Sequence, residues 1–237
     1  MSNSLPTKVR KFREHYRKHH QPSRYNGYLH FSFSMLFALS CLLFSTSQLD
    51  NVSLVEWITI PLTFIYANLV EYLVHRFPMH RPIRKLKLLF RRHARQHHRF
   101  FTEKAMQFDN ANDFAAVLFP PYLIFFFLVF FAIPAGLILA YLTTTNIAFL
   151  FAITAFAYFI NYEIFHTIYH LADSHWIYKF PFMKSLRELH LHHHNQKLMS
   201  HFNFNITYPI SDWLFGTYYR KEREQDKTQT DKTVHPA

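Results

Sequence analysis

The sequence predicts an all-α integral membrane protein, with four transmembrane helices and a cytosolic helical cap that carries clusters of histidine. Three observations predict it. The first is charge segregation. All 26 Lys and Arg fall in three stretches, 7 in residues 1–27, 10 in 75–112 and 9 in 171–237, and residues 25–75 and 105–178 hold none. The second is composition: half of the 237 residues are hydrophobic and 28 are Phe, against only 3 Gly. The third is the placing of ten histidines, which follow or lie between the apolar blocks in four spaced groups. A formal charge of +11 would suit nucleic acid, but a soluble basic protein has no reason to separate its charges so completely. No nucleic-acid partner is expected. The length fits one domain.

Residues 1–28 read as a basic N-terminal tail or amphipathic stretch lying near anionic headgroups. His15, His19 and His20 are expected to be solvated there. The stretch has no apolar core, so no cleavable signal peptide is expected and the first span directs insertion. Leu29 to Ser47 is the first apolar run and Ser53 to Val74 the second; each approaches or exceeds the ~20 residues that cross a bilayer as a helix. Gln48 to Val52 joins them without a basic residue. Pro78 and Pro82 then interrupt the helix that carries His75. Residues 83–100 read as a basic amphipathic helix with Ile83, Leu86, Leu89 and Phe90 on one side. Phe108 to Asp113 is a loop and helix start. The third run, Phe114 to Leu142, contains Pro120, Pro121 and Pro134 and is expected to kink. Thr143 to Asn146 is a second uncharged turn, and Ile147 to Phe165 is the fourth run. Residues 29–220 form the membrane-embedded domain, and residues 221–237 a polar tail expected to be disordered. Cys41 is the only cysteine, which excludes an intrachain disulfide or a Cys-type zinc site.

Both short turns lack Lys and Arg. The positive-inside rule therefore puts the three basic stretches, and both termini, in the cytoplasm. All four histidine groups then fall on that side, although the topology argument does not use them.

Imidazole is a common neutral ligand for iron, zinc and copper. The groups are His75/His80, His93/His97/His98, His166/His170 and His190/His193/His194. On an α-helix His166 and His170 share a face, as do His93 and His97, and His190, His193 and His194 form a three-point patch. Adjacent histidines splay by about 100° on such a helix, so His97/His98 and His193/His194 can serve two metals. His75 and His80 are five apart, a spacing an ideal helix would splay, and a bend at Pro78 could bring them together. Ten ligands exceed one ion, and a dinuclear centre is the economical reading. His192 points away, and His175 and His201 read as loop or outer residues. Glu71 and Glu163 lie one turn before His75 and His166; each could orient a ligand imidazole as an acceptor, or serve as a capping or interfacial acid.

The order His-x4-His, His-x3-His-His, His-x3-His, His-x2-His-His resembles the fatty acid hydroxylase / sterol desaturase superfamily of membrane non-haem di-iron enzymes. Glu71 to Phe77 (Glu-Tyr-Leu-Val-His-Arg-Phe) resembles that family's first box. Val117 to Pro121 resembles a segment of the fatty acid 2-hydroxylase branch, Tyr162 to His166 its third box, and Asp212 to Thr217 its closing motif. The resemblance covers about residues 65–220 with no box missing. It implies two iron ions held by the ten histidines, O2 as oxidant and hydroxylation of an unactivated C–H bond in a lipid, either a fatty acyl chain or a sterol. With no fused haem domain and no rubredoxin-like Cys pair, it implies a separate electron-donor protein. A desaturase or a carotenoid or sterol hydroxylase of the same superfamily is an alternative. The lack of targeting signals favours a bacterial inner membrane over the endoplasmic reticulum. A metal-binding or metal-transporting membrane protein is the alternative of another class. It would set polar ligands along a path near mid-membrane, where these spans carry almost none.

Overall fold

A computed structural model describes residues 5–221. Of the polar tail expected over 221–237, all but the first residue lies outside the described residues. The described chain is helical, with a single isolated bridge between Thr102 and Ala105 as its only β-type pairing. Helix α1 spans Thr7–His19. Four long apolar helices follow: α2 (Gly27–Ser47), α3 (Glu56–Met79), α5 (Ala111–Leu142) and α6 (Thr145–Tyr169), each long enough to cross a membrane. Between α3 and α5 lies α4, residues 87–100. After α6 come α7 (Pro181–His193) and the short α8 (Ile210–Leu214).

In the most apolar part of each span only 11% to 22% of residues are buried inside the protein. Leu36, Leu43, Phe130 and Leu137 are among the large side chains that point outward. An apolar surface this continuous requires lipid around it. Small and polar side chains fill the inside instead: Ser34, Ala38, Thr63, Asn68 and Thr154 are buried and let the helices approach closely. Helix α6 packs on α2, α3 and α5 and is the centre of the bundle. Gly27 opens α2 where the backbone of Ala111 crosses; a Cβ there would lie 1.8 Å from the Ala111 carbonyl oxygen.

The two uncharged turns meet at one end of the bundle. Asn146 bonds the backbone of Asp50 in both directions, at 3.1 and 2.7 Å. Glu56 accepts from Ser53 N at 2.8 Å and from Thr144 Oγ1 at 2.5 Å. The histidines lie at the opposite end, under α1, α4, α7 and the segment that follows α7.

Three stretches widen into π-helical turns, with i→i+5 bonding: His75–Met79 at the end of α3, Arg91–His97 within α4, and Leu128–Ala132 within α5. Two have a cause in the sequence. Pro78 cannot donate to the carbonyl of Val74, and Pro134 cannot donate to that of Phe130, so the i→i+4 ladder fails at each place. The expected kink in the third run is therefore a π turn, preceded by a break at Pro120 and Pro121. The expected amphipathic helix over 83–100 is divided too: a 3-10 turn at Arg84–Leu86, an α turn at Lys87–Phe90, then the π turn.

Residues 1–28, read as a tail, contain a helix packed onto the cap. Val9, Arg13 and Tyr16 of α1 are buried, and Tyr16 joins Phe100, Phe101 and Met106 in an apolar cluster. His15, His19 and His20 are exposed.

Candidate metal centre

The cap and the inner ends of α3 and α6 bring all ten histidines to one buried place. Five nitrogens converge in one cluster, from His75, His80, His93, His98 and His193. Four more converge beside it, from His97, His170, His190 and His194. His166 joins this second cluster, with its Nε2 3.3 Å from that of His97. The adjacent pairs His97/His98 and His193/His194 each divide between the clusters.

The π turns decide which residues share a cluster. In α4, His93 meets His98, five residues on, with 3.0 Å between the Nε2 atoms. His97, expected on the face of His93, turns to the other cluster, although the two rings still stack at 5.0 Å. In α3, His75 and His80 are also five apart, at 3.2 Å. A wide turn places i and i+5 on one side, where an α-turn would place i and i+4.

The hydrogen bonds fix the tautomers. A backbone carbonyl only accepts, so an imidazole bonded to one must carry its proton on the bonded nitrogen. His97 donates from Nδ1 to Ala116 O, His170 to Met106 O and His194 to Phe101 O, each at 2.8 Å. His193 donates to Phe202 O at 2.9 Å, and His75 to Phe204 O. Removal from water keeps the cap imidazoles neutral, pushing His97 to about 3 and His193 to about 4. A neutral ring with its proton on Nδ1 presents a bare lone pair at Nε2.

These lone pairs face one another. His97 Nε2 lies 3.1 Å from His194 Nε2, and neither nitrogen has a proton to share. Two bare lone pairs at this distance repel unless a cation lies between them. His194 and His190 also meet at 3.0 Å, as do His80 and His193, with no carbonyl to fix the proton of His190 or His80. Zinc–nitrogen bonds of about 2.1 Å set at right angles would separate neighbouring donors by about 3.0 Å. The donor set therefore fits metal in both clusters. Five imidazoles per cluster exceed the four of a closed tetrahedral zinc site and suit a metal of higher coordination.

A sequence profile described as fatty acid hydroxylase matches residues 60–217, which takes in all ten histidines. The chain belongs to the fatty acid hydroxylase family. Its fold is also similar to the visible hydroxylase domain of full-length Scs7p, with a TM-score of 0.58 at 18% identity, over 82% of this chain and 67% of that one. That likeness shows the fold alone. No curated protein matches the sequence.

The remaining residues singled out in the sequence of this hydroxylase-family chain lie as follows. Neither glutamate orients an imidazole. Glu71 Oε1 accepts from Ile206 N and from Thr207 N at 3.0 Å, and its Oε2 from Thr207 Oγ1 at 2.7 Å and Tyr158 OH at 2.5 Å. It thereby anchors the segment 204–207, and the acceptor for His75 is the Phe204 carbonyl in that segment. Glu163 accepts from Phe119 N at 3.2 Å. One turn of helix separates these acids from the histidines along α3 and α6, but their side chains bond neighbouring strands of chain instead. His192 is half-buried and edge-on to Tyr219, and His175 caps the turn at Trp176 through Ile177 N. His201 is exposed.

Two supporting residues had no role read for them in the sequence: Asp212, noted there only as the start of the closing motif, and Asn203, which nothing marked. Asp212 accepts from Phe204 N at 3.0 Å and Asn205 N at 2.8 Å, and Asn203 Nδ2 donates to Leu189 O at 3.1 Å. They lock the chain that offers its Phe202 and Phe204 carbonyls to His193 and His75. Burial raises the Asp212 carboxyl above its usual range, opposed by these hydrogen bonds.

A cavity of about 290 Å³ runs between α3 and α6 from Thr63 and Phe151 to His75 and Met79. Its lining is almost wholly apolar, including Val70, Val74, Phe119, Phe127 and Phe159. Tyr66 and Val70 line it and are also exposed on the outer face of α3, so it opens sideways into the lipid zone. Of the Phe residues in the run 125–131, Phe127 lines the cavity. Phe125, Phe126, Phe130 and Phe131 face outward.

Proposed function

We propose that this protein is a membrane di-iron oxygenase that hydroxylates an unactivated C–H bond of a lipid chain. One observation carries the reading: an apolar cavity open to the membrane ends at His75, a member of one of the two clusters of inward-facing nitrogen lone pairs. Overall the reaction is RH + O2 + 2 e⁻ + 2 H⁺ → ROH + H2O, with the electrons supplied by a separate donor protein. The ten histidines hold two irons, and bound iron supplies the activation of O2 that no side chain can provide. The residues of the chain do the placing. Val70, Val74 and Phe159 take up the acyl chain from lipid and keep water from the reacting carbon. The carbonyls of Phe204, Phe202, Ala116, Met106 and Phe101 hold five imidazoles in one tautomer and one orientation. The positive-inside rule applied to the basic stretches supports a cytoplasmic cap, within reach of soluble electron donors.

Purification in detergent with measurement of iron, paired with analysis of lipid extracts from expressing cells, tests this reading. About two irons per chain and a new O2-dependent hydroxylated lipid are expected. An unsaturated product would redirect it to a desaturase. Tightly bound metal with no lipid change under supplied reductant would point to a metal-handling protein.

The cavity also predicts a chain-length effect. Ala67 lies eight residues before His75, about 12 Å along the helix. Ala67→Phe fills the outer part of the cavity and leaves the His75 end open. Oxidation of the longest substrates should fall about tenfold or more, as expected when a packed apolar site is overfilled, with shorter chains less affected. Equal loss for all chain lengths in competition assays would show that the chain does not lie along this cavity.

A further inference from the structure

We propose that α1 is the outer support of the second histidine cluster, and that Arg13 and Tyr16 are positioning residues for the metal held there. The inference rests on the metal-binding reading above and goes beyond it. Helix α1 lies outside residues 60–217, the part of the chain that matches the family profile.

Three bonds carry the argument. Arg13 is fully buried. Its Nε donates to Phe100 O at 2.9 Å, its Nη2 to Ala105 O at 2.8 Å and its Nη1 to Asp109 at 2.9 Å. Tyr16 donates to Ala115 O at 2.9 Å. The carbonyls one residue further on, of Phe101, Met106 and Ala116, accept the Nδ1 protons of His194, His170 and His97. In each of three separate places, α1 fixes the peptide group next to the one that orients an imidazole of the second cluster. The Phe101 ring also lies against the His170 ring at 4.1 Å, with the Arg13 guanidinium over its other neighbour, Phe100, at 4.8 Å.

The first cluster is held differently. His75 and His193 donate to Phe204 and Phe202, and that segment is fixed by Glu71, Asp212 and the Asn203 N bond to Thr217 O. The two metals thus have separate supports, one from the N-terminal helix and one from the C-terminal segment. Arg13 serves through geometry: a planar fork spans two carbonyls five residues apart and a carboxylate, which a lysine ammonium cannot match.

The test is metal retention site by site in the full-length protein in detergent. Wild type, Arg13→Met and the milder Tyr16→Phe are loaded with cobalt(II) and challenged with a chelator. Bound cobalt is read by visible absorption and elemental analysis, without any turnover. Wild type should retain two equivalents. Arg13→Met should retain one, and Tyr16→Phe should release one of its two at least about tenfold faster, the usual scale for an outer partner of a ligand. Adding His170→Ala to Arg13→Met should remove no further metal, whereas adding His75→Ala should strip the remainder. Loss of both metals together, or of neither, in folded Tyr16→Phe would overturn the role of α1 and leave the metal reading standing. Wild type that binds no metal would overturn both.

Discussion

His97→Ala and His98→Ala alter neighbouring residues and should each abolish lipid oxidation, yet they should empty different metal positions. His98 Nε2 lies 3.0 Å from His93 in the first cluster, and His97 Nε2 lies 3.1 Å from His194 in the second. Each variant should therefore lose chiefly one of two bound irons and keep the other. Because the proposed chemistry needs two electrons drawn through a paired centre, a half-filled site should show no turnover above background. Iron analysis of the purified variants, with Mössbauer spectra of the iron that remains, checks this. Two different residual spectra are expected. Identical spectra, or full iron retention in either variant, would contradict the division of the adjacent pair.

Glu71→Leu is the second change with a large expected effect. The glutamate lies in the cavity wall but works on the segment after α7. It accepts two backbone N–H groups and two hydroxyls, and leucine would leave all four without this partner. The Tyr158 and Thr207 hydroxyls still bond each other at 2.6 Å, but the Ile206 and Thr207 N–H groups lose their partner at about 1–3 kcal/mol each, a sizeable part of a domain's stability. The segment carrying the Phe202 and Phe204 carbonyls should loosen, and the first cluster should lose metal before the second. Glu71→Gln retains one acceptor oxygen, and its amide can donate to the Tyr158 and Thr207 hydroxyls; it should be much milder. Chelator-resistant metal and thermal unfolding of the two variants in detergent distinguish these outcomes. Equal effects from Leu and Gln would show that the hydrogen bonds of Glu71 do not matter.

The membrane fold is legible in the sequence because it is set by composition over long windows. A span needs about 20 apolar residues, and the charges that bound it are plain in any reading of residues 25–75 and 105–178. Four spans follow, and they are present. The family is legible too, since its mark is the spacing of side chains. What could not be read depends on backbone. The partners of His75, His97, His170, His193 and His194 are carbonyls, and every residue has one, so nothing in the sequence singles out Phe204 or Ala116. Glu71 and Glu163 read equally as acceptors for the rings and as capping or interfacial acids, and neither bonds a ring. Nor does one basic residue among seven in the N-terminal stretch announce itself as buried. A faint signal did exist there: Val9, Phe12 and Tyr16 recur at helical spacing, which marks a face that must pack on something. Arg13 lies on that face.

The wide turns at His75–Met79 and Arg91–His97 have a consequence for how this chain can tolerate change. Substitution at Arg91 or Gln96 alters a side chain and leaves the path of the backbone alone. Deletion of Gln96 with tightening of the turn to 3.6 residues would leave His93 and His98 four apart and still on one side, whereas tightening without a deletion would rotate His98 away from His93 by about 100°. The spacing of five and the width of the turn therefore act as a pair, and the centre is sensitive to a change in either one alone.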